Sequence, residues 1–316
     1  MTQKKIIAVV GATGAQGGGL ARSILADARG ELAVRAITRD PDSDKSRALA
    51  DAGAEIVAAD LSDPAAVERA FAGAYGAYCV TFFWHHMSPE KEREEARLLA
   101  NAARAARLQH VVWSTLEDTR RWMALDDPRM PTLQGRYKVP HFDAKGEADE
   151  FFRASGVPTT YLLTSFYWDN LIHFGLGPKV GDDGKLHFGL PMGDRPLAGI
   201  AAEDIGRCAH GIFKRGTTLA GQYVGIAGGF LTGTQMAAAL GVALGREVVY
   251  DAVPFETFRR YGFPGADDLG NMFQFKHDFN DAFCRARSLE TSRALNPRLQ
   301  SFEQWLAAHA REIPLG

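Results

Sequence analysis

Up to about residue 163, short apolar runs alternate with longer stretches in which apolar residues recur every three or four positions. The runs at 6–10, 32–38, 54–59, 77–83, 110–114 and 159–163 have the length and composition of buried strands. Between them the helical pattern runs through 20–28, a charged stretch ending near 50, 64–71 (capped by Ser62 or Asp63), 89–108 and 142–154. Strands alternating with helices predict right-handed βαβ units and an α/β fold with a doubly wound parallel sheet. Past Ser165 the texture changes. Aromatic residues cluster at 166–168, Gly and Pro punctuate 175–196, and short strands at 222–226 and 247–250 lead to an amphipathic helix at 302–310.

With 316 residues the chain exceeds what one hydrophobic core usually holds, about 250–300 residues. The pattern therefore predicts two units. Residues 1–165 would form the domain with the large sheet, and residues 166–316 a smaller α/β C-terminal lobe, with some segments returning to the sheet. Lys and Arg total 36 against 38 Asp and Glu, so the chain lacks the basic footprint of a nucleic-acid binder, and no direct nucleic-acid contact is expected. Cys79, Cys208 and Cys284 are widely spaced and match neither a metal motif nor a disulfide framework, which points to a reducing, cytoplasmic setting. The apolar run at 6–10 ends in glycines and is too short for a signal peptide. No stretch of about 18 apolar residues occurs, and no membrane contact is expected.

The chemistry begins at Gly11-Ala12-Thr13-Gly14-Ala15-Gln16-Gly17, directly after the first strand. Glycines in such a strand-to-helix loop allow a tight turn, let backbone N–H groups approach a pyrophosphate, and permit close helix packing. The helix N-terminus adds partial positive charge, and Thr13 adds a hydroxyl. The second strand ends in Thr38-Arg39-Asp40. An arginine there accommodates a 2′-phosphate, so NADP(H) is the expected cofactor, while Asp40 offers an NAD-type acid if the register slips by a residue. Asp60, ending the third strand, is placed either to touch the adenine edge or to cap the next helix.

These residues resemble a known family. GATGAQGG, the TRDP after strand two, HFDAKGEADEFFR at 141–153 and FPGADDLGNMFQF at 263–275 are together similar to the NmrA-like proteins. Those are atypical members of the short-chain dehydrogenase/reductase superfamily and include nitrogen-metabolite repression regulators and an animal NADPH sensor. The resemblance implies a Rossmann domain with NADP(H) in a cleft against the smaller lobe, and allows a homodimer. It implies that Gly11, Ala12, Thr13, Gly14, Ala15, Gln16 and Gly17 contact phosphate and that Arg39 meets the 2′-phosphate. Asp60 and Leu61 would lie at the adenine, and Thr81, Phe82 and Phe83 beside the ribose. Lys145 would lie at the nicotinamide ribose, with Phe166, Tyr167 and Trp168 along the nicotinamide. One departure stands out: the sensor has further basic residues after its arginine, where this chain has Asp42, Ser43 and Asp44, with Lys45 as partial compensation.

Active short-chain dehydrogenases place a tyrosine four residues before the lysine. Here that position is His141, and Tyr137 lies eight before Lys145. The substitution favours an NADP(H)-binding sensor or regulator that acts through protein partners. The alternative is a reductase of a small carbonyl or quinone in which His141 and Lys145 replace the Tyr/Lys pair, with Ser114 or Thr115 assisting. Direct transcription-factor activity has no basic stripe to support it. Trp84-His85-His86 reads as a loop in which Trp84 or His85 lines the pocket, with no metal expected. The run at 91–97 reads as a solvated helix face. Phe166 to Trp168 with Phe273 and Phe275 form either a substrate cavity or the mortar between lobes.

Overall fold

The computed structural model describes residues 4–315. Its first half runs β1 (Lys5–Val10), α1 (Ala15–Leu25), β2 (Leu32–Thr38), α2 (Asp44–Asp51), β3 (Glu55–Ala58), α3 (Pro64–Phe71), β4 (Gly76–Cys79), α4 (Pro89–Ala105), β5 (His110–Thr115), α5 (Pro140–Ser155) and β6 (Thr159–Leu163). The second half runs β7 (Phe166–Tyr167), α6 (Asn170–His173), β8 (Lys179–Val180), β9 (Leu186–Leu190), β10 (Leu197–Ile200), α7 (Ala202–Lys214), β11 (Tyr223–Gly225), β12 (Gly229–Leu231) and α8 (Gly233–Leu244). It ends with β13 (Val248–Ala252), α9 (Phe255–Arg259), α10 (Ala266–Asp278), α11 (Asn280–Arg285), α12 (Leu289–Leu295) and α13 (Phe302–His309).

Seven strands form one parallel sheet in the order β11-β6-β5-β4-β1-β2-β3. The reversal of direction between β1 and β4 creates the switch point at which open α/β sheets bind ligands. Apolar layers cover both sheet faces, one built with α1 and α7 and the other with α3, α4 and α5. β11 pairs with β6, so two second-half segments, β11 and α7, belong to the large sheet's layers. The remaining strands form two three-stranded sheets, β12-β10-β7 and β13-β9-β8, around a separate core rich in Phe, Trp and Met.

Two expectations change, and one pair of alternatives is resolved. The first helix starts at Ala15, inside the stretch read as loop, and it carries glycines because its backbone must touch others. A Cβ on Gly17 would lie 2.4 Å from the Gly11 carbonyl oxygen, and one on Gly19 would lie 2.6 Å from the Glu203 carbonyl oxygen of α7. The fourth strand ends at Cys79 rather than at 83, because Thr81 to His85 turn out of the sheet to cross its edge. Between Ser62 and Asp63, Asp63 is the cap of α3, accepting from the Ala66 amide at 3.1 Å.

Candidate functional site

The glycine loop lies at the C-terminal edge of β1. Gly11 has φ +64°, and its carbonyl accepts the Gly14 amide at 2.9 Å. α1 then begins with no side-chain cap and no acidic residue in its first turn. Its leading N–H groups and positive dipole end are left for an anion from solvent or ligand. The Gln16 side chain faces inward instead. Its Oε1 accepts from Ser114 at 2.8 Å and from the Tyr78 hydroxyl, and its amide donates to the Tyr167 hydroxyl. Gln16 therefore reaches a ligand only through its backbone, and the Tyr167 hydroxyl is tied beneath the loop. Ala12 is fully buried, and Thr13 is half-buried beside it.

Arg39 is exposed at the end of β2, and its Nη1 lies 3.3 Å from His85 Nε2 on the segment after β4. Asp40 is exposed, and one of its carboxylate oxygens accepts the Asp42 amide at 3.1 Å within its own turn. Asp60 does not cap α3. Hydrogen bonds from the Ser62 hydroxyl and amide draw its carboxyl below the ordinary range. Leu61 packs its side chain against the sheet core, while the Phe82 ring is 57 % exposed.

The other half of the site is closed. Lys145 Nζ donates to Thr81 Oγ1 at 2.7 Å and sits 2.8 Å from Glu92 Oε1. Thr81 Oγ1 in turn donates to Glu92 at 2.6 Å. Glu92 lies on the run read from sequence as a solvated helix face, yet it is 0 % exposed. Burial opposes its charge, but the Lys145 ammonium, the neighbouring His86 and hydrogen bonds from Lys145 and Thr81 outweigh it and hold the carboxyl at about 2. His86 and Glu95 complete this cluster, with His86 Nε2 at 3.5 Å from Glu92 and 3.8 Å from Glu95. The Ser88 amide donates to His86 Nδ1, which puts the ring proton on Nε2. That nitrogen faces both carboxylates but makes no hydrogen bond among the described residues.

One helical turn before Lys145, His141 Nδ1 lies 2.7 Å from Asp268 Oδ1, and its backbone amide donates to Asp268 Oδ2 at 3.2 Å. Both residues are buried, and the carboxylate directs the proton to Nδ1. Nε2 has no hydrogen-bond partner among the described residues. The Trp84 ring centroid is 4.8 Å from the imidazole and that of Phe83 5.8 Å. Trp84 also touches the lobe, since a Cβ on Gly265 would lie 2.8 Å from its ring.

The two expected helpers face elsewhere, and so does Tyr137. Thr115 Oγ1 donates to Asp149 at 2.6 Å, Ser114 is bound to Gln16, and Tyr137 donates to Glu90 at 3.1 Å. Phe166 packs on Phe273 inside the lobe core, while Trp168 is 1 % exposed between Phe302 and Trp305 and does not present its indole to the cleft. Phe166, Trp168, Phe273 and Phe275 share one buried core, and of these Phe275 also borders a cavity with Leu116, Trp122 and Phe283. Sequence reasoning missed Glu92 and Asp268. Glu92 has only acidic and basic neighbours as a local signal, and Asp268 sits 127 positions from the histidine it holds.

The sequence model of the NmrA-like family matches residues 3–306. The NmrA-like family domain-containing oxidoreductase FrzB of a Cladobotryum species is 30 % identical over 292 residues, covering 85 % of this chain and 83 % of FrzB. Among solved structures, NmrA, a negative transcriptional regulator in complex with NADP, superposes with a TM-score of 0.78 at 24 % identity, covering 99 % of this chain and 96 % of that one. The Citrobacter triphenylmethane reductase complexed with NADP(H) superposes at 0.75 with 18 % identity, covering 96 % of this chain and 99 % of that one.

Proposed function

The chain belongs to the NmrA-like family, and from that premise we propose that it is an NADPH-dependent reductase of a small carbonyl or quinone compound. The carrying observation is the His141–Asp268 pair at 2.7 Å, one turn from Lys145. The absent tyrosine argued for a non-catalytic sensor; a histidine oriented by a buried carboxylate supplies a proton donor in its place.

The residues fit a dinucleotide. The uncapped α1 terminus and the glycine-lined approach suit its pyrophosphate, and Arg39 suits a 2′-phosphate. NADPH, when bound, supplies the hydride. Lys145 would hold the ribose hydroxyls, its ammonium positioned by Thr81 Oγ1 and Glu92 and giving up its longer, 3.3 Å contact to the Thr81 carbonyl. His141 Nε2 gives its proton to the substrate oxygen as negative charge develops there, and Asp268 stabilises the protonated ring before transfer. Trp84 and Phe83 wall the reacting atoms from water.

The second reading is an NADP(H) sensor acting through protein partners. It is favoured by the near-complete burial of His141 and Lys145, at 6 % and 8 % exposed, and by the likeness to a transcriptional regulator. The nicotinamide absorbance of the NADPH-loaded protein separates the readings when followed against aldehydes, ketones and quinones. Consumption that one compound triggers and His141→Ala abolishes is the expected result. Stable absorbance against the whole panel, with tight NADPH binding, would establish the sensor instead.

A further inference from the structure

The stretch after Arg39 holds Asp42, Ser43 and Asp44, so β2 alone presents little positive charge to a 2′-phosphate. The tertiary structure brings a second basic group to that position from a different element. After Cys79 the chain leaves the sheet, crosses toward the far side of the glycine loop, and puts His85 Nε2 at 3.3 Å from Arg39 Nη1. β1 and its glycine loop lie between β4 and β2 in the sheet order, so this contact spans the mouth where the adenosine half of a dinucleotide would rest. Both side chains are exposed and neither is otherwise engaged in a hydrogen bond or ion pair among the described residues.

We propose that His85 is a specificity-determining residue for the 2′-phosphate, acting with Arg39 as a two-element clamp that makes the preference for NADPH over NADH rise as pH falls. The proposal rests on the dinucleotide reading of the site. With no phosphate present, the guanidinium donates to a neutral imidazole, which forces the ring proton onto Nδ1. A dianionic phosphate between the two groups accepts from Arg39 and recruits a proton to Nε2, so that both ring nitrogens carry protons and the imidazolium donates to it. Proton uptake therefore accompanies binding of NADPH and not of NADH, which has a hydroxyl at that carbon.

The other charged groups around this mouth are Arg39 and Asp40 from the end of β2, Asp60 from the β3–α3 turn, and Lys91 from the first turn of α4. Asp40 is committed to its own turn, and the Ser62 hydrogen bonds keep Asp60 ionised throughout the neutral range. Arg39 stays cationic. Of the protein groups named, His85 is the one that gains a proton when the phosphate binds, while the second ionisation of the 2′-phosphate itself, at about 6, acts alike in every variant.

The test is calorimetric titration of the full chain with NADPH and with NADH at about pH 6.5 and about pH 8.5, in two buffers of different ionisation enthalpy. In the unmodified protein the ratio of NADPH to NADH affinity is expected to fall by about three- to tenfold over that range, with proton uptake for NADPH alone, as fits one charge-assisted contact at an exposed site. His85→Gln is expected to give the low ratio at both pH values and to remove the uptake. His85→Lys, a permanent cation, is expected to keep the high ratio at both. A ratio in His85→Gln equal to that of the unmodified protein at both pH values would overturn the clamp while leaving dinucleotide binding standing. Failure of the unmodified protein to bind either dinucleotide would overturn the reading beneath it, and the clamp with it.

Discussion

The two halves of the candidate site are built by opposite strategies. At the glycine-loop end, each group sits within a few residues of the strand end that presents it. Gly11 to Gly17 follow β1, Arg39 follows β2 and Asp60 follows β3, and Arg39 stays exposed. At the other end the groups are buried and assembled over long stretches of chain: Lys145 with Thr81 and Glu92, and His141 with Asp268. Water screens the first set, so each contact there is weak and separable. In the second set removing one partner strands a buried charge. The open end is suited to recognition and the closed end to positioning a proton.

The sharpest way to break this contrast is at Glu92. Glu92→Ala leaves the Lys145 ammonium buried without its counter-ion and is expected to destabilise the fold by about 3–5 kcal/mol in urea unfolding. A Glu92→Leu/Lys145→Met double variant is expected to recover most of that loss; an additive loss would show that the pair is not coupled. The acid limb reports on the same group. Its folded pKa, about 2, lies below the ordinary 4.5, so its contribution is complete above 4.5 and is lost as pH falls toward 2. Glu92→Gln should flatten that limb.

Next in size is Asp268→Asn, expected to lower turnover by about 100-fold by releasing the His141 tautomer. Nitrogen NMR of the imidazole checks this independently of any substrate: Nδ1 should lose its fixed proton. An unchanged tautomer would reduce Asp268 to a packing role.

Lys276 tests whether every buried charge near the closed end is needed. Its ammonium is enclosed by Phe142, Phe166, Phe273 and Phe283, with only Met272 Sδ at 3.3 Å as acceptor. Burial, reinforced by the Arg287 charge, pushes its pKa down to about 7 from 10.5. The unfolded chain binds this proton more tightly, so stability should rise with pH between those two values. Lys276→Met is expected to abolish the rise and to stabilise the protein at neutral pH by about 1–3 kcal/mol. Destabilisation by this variant would mean that the ammonium is matched by its aromatic cage.

The smallest effect is expected at the open end. Asp40→Ala should change NADH affinity by less than about twofold, because its carboxylate closes a local turn. A larger fall would place that carboxylate on the ribose.

How much of this was legible in the sequence follows the same division. β2, α3 and β6 were readable to the residue, and the glycine turn after β1 was readable as such, because hydrophobic periodicity, Pro64 at a helix start and glycine backbone freedom are local signals. The start of α1 was missed because Gly17 to Gly19 read as loop. Their real constraint is steric, set by Gly11 and by Glu203 nearly two hundred positions away. Glu92 looked solvated because its neighbours in sequence are charged, and Trp168 looked like a cleft residue because it follows a strand end.

The chain's own pattern determined the parallel sheet, the glycine turn after β1 and the arginine at the end of β2, since each depends on backbone preferences and side chains a few residues apart. Only the tertiary structure decided that one acid of a charged run would be buried against Lys145, that Asp268 would hold His141, and that His85 would reach Arg39. Charge pairing carries no sequence periodicity. Which ionised groups meet is settled when packing removes them from water and each must find a partner or lose its charge.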